Sequence, residues 1–353
     1  MRIFDCDVHP MLAGGPEVVL PYVDESWRHQ FTKQDFKISG RAPERYGHPG
    51  TPLRADAKPP SGGLPASDPE YVQRDLLDAW NIEAGLLLPM QGLAVAAWTD
   101  PPTAQAWSSA INRYFYETWV KLDGRFKLAI TASPHDPLAA AEEIASWAGT
   151  PNVIGVQLPL INTLMGNRYY YPIYEAAAAA GLPMIVHQTG AEGCYLGTPT
   201  VAGGVPRTYA ERHAMLTQIG QSNVASLIFE GVFERFPDLK VMFVEYGFSW
   251  MLPLGWRLDR EWKNFRMDTP WVKEPPAEYI KRHIRFATQP MDEPERIEDL
   301  WRLIEMLDGE EILCFSSDYP HYDNDDPSVI LKKLPEASRE RIAWTNAQEF
   351  FAL

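Results

Sequence analysis

Cysteine is scarce: Cys6, Cys194 and Cys314 are the only three in 353 residues. An odd, scattered set excludes a disulfide framework and a thiolate-built zinc centre, both of which need paired spacings. Basic charge is also short, with 32 Lys and Arg against 47 Asp and Glu, a formal net charge of −15. Such a surface repels phosphate backbones and anionic headgroups, so neither nucleic acid nor a membrane is expected as a partner. No apolar run is long. The richest stretch, 84–98, falls short of the roughly 20 residues that span a bilayer, and Pro89, Gln91 and Gly92 interrupt it. At the N-terminus Asp5 stands where a secretory leader would carry its apolar stretch, and the expectation is a cytoplasmic protein.

What is present is a large apolar fraction, 45% with 12% aromatic, enough to bury a substantial core. Short β-rich runs alternate with helical stretches, the pattern of repeated βα units around a parallel sheet. Eight candidate strands lie at 2–8, 84–89, 126–132, 153–158, 183–187, 240–245, 284–288 and 312–316. Several are apolar on both faces, as buried parallel strands are, and eight is the number that closes a (β/α)8 TIM barrel. Helices are expected at 68–80, 102–122, 137–147, 169–180, 209–236, 250–265 and 294–307, with short terminal ones at 327–333 and 336–353. Asp136 before Pro137 reads as an N-cap, and Gly181 with Pro183 as a helix stop. The whole chain, 1–353, reads as a single barrel domain. A barrel needs about 250 residues, so much of the remainder must be inserted. The clearest insertion is 10–67, dense in proline and glycine over its second half. Because it follows strand one, it should emerge at the C-terminal rim, where barrel active sites are built.

The chemistry-bearing residues fall at those strand ends. Asp7 and His9 close strand one two apart, which points both to one face; Asp5 shares their spacing but lies deeper. His187 closes the apolar run of strand five, Glu245 that of strand six, and Asp318 follows strand eight. A carboxylate buried at such a point must be paired, metal-bound or neutralised. Two imidazoles and two carboxylates, from Asp7, His9, His187 and Asp318, suit one divalent metal, zinc first and manganese second. His321, three residues past Asp318, reads as a catalytic or turn-stabilising group. Arg207 after strand five is a candidate for a substrate carboxylate. His213 reads either as facing the mouth or as half of a helix-surface pair, and Trp98 and Tyr319 as parts of an apolar substrate wall.

These residues resemble the amidohydrolase superfamily, in particular the amidohydrolase-related branch that includes aminocarboxymuconate semialdehyde decarboxylase and γ-resorcylate decarboxylase. The resemblance spans nearly the whole chain. It rests on Phe-Asp-Cys-Asp-Val-His-Pro at 4–10, Pro-Met-Ile-Val-His at 183–187, the 236–247 segment ending Val-Glu-Tyr-Gly, and Phe-Ser-Ser-Asp-Tyr-Pro-His-Tyr-Asp at 315–323. It implies metal ligation by Asp7, His9, His187 and Asp318, a small-molecule substrate and a homodimer. Two departures stand out: Asp7 where the family's first motif usually begins with His or Glu, and Glu245 where the best-known decarboxylases carry a strand-six histidine. The expected activity is therefore hydrolysis of a C–N or C–C bond by metal-activated water, with Asp318 handling the water's proton and Glu245 protonating the leaving group if burial raises its pKa. Nonoxidative decarboxylation of an aromatic or unsaturated acid is the alternative, and a noncatalytic small-molecule-binding barrel the third reading.

Overall fold

The protein is described from a computed structural model, over residues 1–32, 53–98, 100–188, 206, 208–323 and 325–353. Eight parallel strands run in sequence order around a barrel: β1 Phe4–Val8, β2 Ala84–Leu87, β3 Phe126–Thr131, β4 Val153–Pro159, β5 Met184–His187, β6 Val241–Val244, β7 Ile284–Ala287 and β8 Leu313–Cys314. The seam between β8 and β1 is closed by the backbone. Cys6 N–H donates to Phe315 O at 3.0 Å, Asp318 N–H to Asp7 O at 3.1 Å and His9 N–H to Tyr319 O at 2.8 Å. All eight expected strands are present, and the fold is the (β/α)8 barrel that their pattern implies.

The barrel is filled from below. Phe4, Cys6, Leu86, Ala129, Ile154, Ile185, Met242, Val244, Ala287 and Cys314 form an interior cluster, plugged by Phe350 and Phe351 from the C-terminal helix. Phe4 and Phe351 stack at 5.5 Å. Alternate strand residues, among them Val8, Leu87, Leu128, Val156, Val186, Phe243 and Phe286, pack outward against the helices. The interior of the barrel is thus mainly apolar, with Arg285 lying over Phe350 at its base, and the imidazoles and carboxylates converge at the C-terminal mouth.

Helix ends follow the sequence signals where those are strong. Asp136 accepts from Ala139 N–H at 3.1 Å, and Gly181 ends its helix at φ 66. The expected long helix at 209–236 is three pieces, Tyr209–Met215, Thr217–Phe229 and Val232–Arg235, the last break falling at Gly231 with φ 72. A helix at Pro276–His283 was not expected; its charged, short sequence hides an apolar face of Tyr279 and Ile280. Within 10–67, Glu25–Phe31 is helical, while Leu53 pairs with His321 and Arg54 N–H donates to Pro320 O at 2.9 Å. That return leg therefore lies against the loop after β8. Among the described residues no helix is long and apolar enough to cross a membrane.

Candidate metal centre

The site begins with an irregularity in β1. Phe4 and Cys6 point into the barrel and Val8 points out, so the inside–outside alternation slips by one between them. Pairing with β2 shows the same slip: Asp5 faces Gly85, yet Val8 faces Leu87, three residues against two. This bulge turns Asp7 onto the side of His9. Asp5 is left in the wall as a brace. Its buried carboxylate accepts from Ser317 N–H at 2.9 Å, Ser317 O–H at 2.5 Å and Asp7 N–H at 3.1 Å, tying β1 to the segment that carries Asp318. Burial pushes its pKa up to about 7 against those hydrogen bonds.

Around the mouth the ligand-type atoms converge. His9 Nδ1 engages Leu88 O at 3.1 Å, which aims Nε2 inward, 3.0 Å from Asp7 Oδ1 and 3.2 Å from Asp318 Oδ1. His187 Nδ1 is engaged by the Gln188 carbonyl, leaving its Nε2 2.9 Å from Glu245 Oε2. Asp7, His9 and His187 each offer an atom within 4.8 Å of the others, and so do His9, Asp318 and His321. Asp7 Oδ2 and Asp318 Oδ2 are buried with no hydrogen-bond partner, and Asp7 Oδ1, His9 Nε2 and His187 Nε2, though in imidazole–carboxylate contact, make no well-directed hydrogen bond. A buried acceptor left unpaired costs about 1–3 kcal/mol, so a partner shared by these converging atoms is favoured. A divalent cation fits: two imidazole nitrogens and two carboxylates would hold it, with positions left for a ligand. The local field asks for positive charge as well. Burial lowers the proton affinity of His9, but Asp7 and Asp318 beside it outweigh this and hold its pKa well above the imidazole value. Asp318 and Glu245 both sit at positive φ, 61 and 66, a strained backbone that recurs at functional positions.

Glu245 departs from its expected behaviour. Burial raises its pKa, but His187, the His213 side chain and nearby His321 more than offset this and hold it well below the carboxylate range. Gln188 also donates to its Oε2 at 2.8 Å. It is therefore an ionised group that orients its neighbours, and the idea that burial would make it the proton donor is corrected. His213 Nε2 lies 3.6 Å from Glu245 Oε1 and 3.6 Å from Asp323 Oδ2, with its side chain 19% exposed. Of the two readings for His213, the structure places it at the mouth. The Glu245 carboxylate raises its pKa against partial burial. His321 donates through Nδ1 to Asp318 Oδ1.

Other expected contacts go elsewhere. Tyr319 packs edge-on against Trp80 and its hydroxyl donates to Asp75 at 2.7 Å. Trp98 lies 6.0 Å from Trp107. Both side chains are thus engaged in helix packing, and Tyr319 serves the site through the carbonyl that receives His9 N–H. Arg207 lies outside the described residues. Arg212, which the sequence did not single out, is buried and donates to Gln188 Oε1; nothing local in the sequence marks it. Asp325, also missed, has its pKa pushed up to about 7 by burial.

Comparison with known proteins agrees with this architecture. γ-Resorcylate decarboxylase of Polaromonas sp. (strain JS666 / ATCC BAA-500) is 24% identical over 307 residues, covering 79% of this chain and 86% of that protein. Among solved structures, an amidohydrolase from Mycobacterium avium subsp. paratuberculosis K-10 superposes with a TM-score of 0.73 at 22% identity, covering 100% of this chain and 98% of the other. A dihydroxybenzoic acid decarboxylase from Polaromonas sp. JS666, with bound manganese and the inhibitor 2-nitroresorcinol, gives 0.66 at 17% identity, covering 100% and 97%. At such identities these likenesses establish the fold. The amidohydrolase family model matches residues 4–353, and the chain belongs to the amidohydrolase family.

Proposed function

We propose that this protein is a metal-dependent, nonoxidative decarboxylase of an aromatic or unsaturated acid, with one divalent cation held by Asp7, His9, His187 and Asp318. The carrying observation is the convergence of buried ligand-type atoms from these four side chains at one barrel mouth, none of them in a well-directed hydrogen bond through the atom it would offer. The sequence reading ranked hydrolysis first; the likeness to γ-resorcylate decarboxylase over most of both chains supports the reverse order. The ionised state of Glu245 points the same way, because it removes the acid that leaving-group protonation required. Manganese is favoured by its presence in the Polaromonas structure, and zinc suits the same donors. The chain acts here as one unit, the return leg of the 10–67 insertion framing the mouth beside His321.

When bound, the cation supplies a positive charge that draws in the acid's oxygens and offsets the electron density left behind as the carboxyl group departs. The residues do the rest. Glu245 and Asp323 flank His213 and favour its protonated form. As the carbon–carbon bond breaks, its electron pair stays on the ring or chain carbon, that carbon takes the His213 proton, and carbon dioxide leaves. The part of His213 open to solvent lets it be reprotonated. Asp318 is held through Oδ1 by His321, and its other oxygen, free of protein partners, would be available to hold the cation. The test is product analysis with manganese-loaded protein and a panel of hydroxybenzoates in heavy-oxygen water. Carbon dioxide release with one solvent hydrogen gained is expected; solvent oxygen in the organic product would overturn the reading in favour of hydrolysis. Ligand binding with no turnover would favour the binding-only barrel.

A further inference from the structure

Three strands that give the cation site no ligand also border the mouth, β3 and β4 beside β5, and β7 between β6 and β8. β3, β4 and β7 deliver neutral polar side chains there. Ala129 faces the interior, so Thr131, two residues on, follows it inward, and Ser133 lies just past the strand end. On β4 the pairing shift that sets Ala129 against Gly155 puts Val156 and Leu158 outward and Gln157 inward. Pro159, two further on, pairs with His187, so Gln157 lies just below the level of that imidazole. Gln289 follows interior Ala287 by two residues at the end of β7. Both glutamines are fully buried.

Their hydrogen bonding is incomplete. Gln157 Oε1 accepts from Thr131 O–H at 3.2 Å, but its Nε2 has no partner. Neither atom of the Gln289 amide has one, and Ser133 Oγ also lacks one. A buried amide that the fold leaves unpaired is a cost unless something arriving later satisfies it. Gln157 offers a donor, while Gln289 offers a donor and an acceptor. Hydroxyl and keto oxygens match that set. A carboxylate does not, since Thr131, Ser133, Gln157 and Gln289 are all neutral and none of the four is a cation to receive it.

We propose that Gln157 and Gln289 read the substrate: they hydrogen-bond neutral hydroxyl or keto substituents of a monocarboxylic acid and select against a second carboxylate. This assignment rests on the decarboxylase reading for where the first carboxylate sits. The probes are 2,6-dihydroxybenzoate, benzoate and isophthalate, titrated by calorimetry into manganese-loaded protein. The expected order of affinity is dihydroxybenzoate, then benzoate, then isophthalate. Gln289→Leu and Gln157→Leu should each weaken dihydroxybenzoate by about tenfold, the equivalent of one lost hydrogen bond, with benzoate nearly unchanged. Gln157→Leu gives up the Thr131 hydrogen bond at 3.2 Å, so stability is read at Gln289: its amide has no protein partner to lose, and Gln289→Leu should not lower the melting temperature of the ligand-free protein. A structural role predicts a lower one, and Gln289→Met repeats the measurement with a flexible side chain. Equal loss for benzoate and dihydroxybenzoate, isophthalate binding as tight as dihydroxybenzoate, binding of none of the three, or a fall in melting temperature for Gln289→Leu overturns the proposal. Carbon dioxide is assayed separately with the same acids. No release from any of them, with the affinity pattern intact, would sink the decarboxylase reading and leave the glutamine assignment standing.

Discussion

Asp5 offers a quantitative check on how the site is braced. Its carboxyl is wholly buried, and its pKa moves from about 3.8 in the unfolded chain to about 7 in the fold. The folded state therefore keeps a proton that the unfolded state has already released between those values. Stability contributed by this group is intact below about 3.8 and falls as pH rises toward about 7. A shift of about three pH units at roughly 1.4 kcal/mol each costs on the order of 4 kcal/mol once the group is ionised. Asp5→Asn cannot ionise, yet its amide oxygen still accepts from a backbone N–H and its amide nitrogen can donate to the Ser317 hydroxyl. The assay is urea unfolding of wild type and variant from pH 4 to 8 with a chelator present, so that the ligand cluster titrates alike in both. The variant should gain on the wild type steadily across the window. Parallel curves would refute the buried, proton-holding brace. Asp5→Ala, which strands Ser317 and Asp7 N–H groups, should be destabilised by about 2–4 kcal/mol and lose metal affinity, with Asn restoring it.

Three further outcomes are expected. Asp318→Asn keeps part of the bound metal, measured by elemental analysis, and loses most turnover; an unchanged rate would remove it from the chemistry. His213→Gln lowers turnover by about 10²-fold or more at constant metal content. Because Glu245 holds the wild-type imidazole protonated above its usual range, activity should fall as pH rises through that raised value, and the variant should lack this basic limb. Phe351→Ala empties the barrel plug beneath Phe4 and should cost about 3–5 kcal/mol in chemical denaturation, while metal stoichiometry in the folded protein is unchanged.

How much was legible in the chain varies by element. Strands such as 241–244 and 184–187 announced themselves because both faces are buried and both are apolar. Helix 137–147 carried its own cap in Asp136. The helix at Pro276–His283 was missed because lysine, arginine and histidine crowd its last turn and mask an apolar side. The Glu245 prediction failed for a different reason: burial was foreseen, but the imidazoles of His187 and His213 beside it were not, and they decide its charge.

By itself the sequence determined the barrel and the order in which its strands arise, because hydrophobic periodicity is local and repeats along the chain. It also marked Asp7, His9, His187 and Asp318 as polar residues at the ends of apolar strands. The sequence preferred Asp7 to Asp5 on depth alone; only the tertiary structure shows the register shift against β2 that separates the two. The same holds for Gln157 Nε2 and the whole Gln289 amide, left without partners by what surrounds them in space. Whether a buried polar atom has a partner depends on residues far apart in the chain, and no window of sequence contains that information.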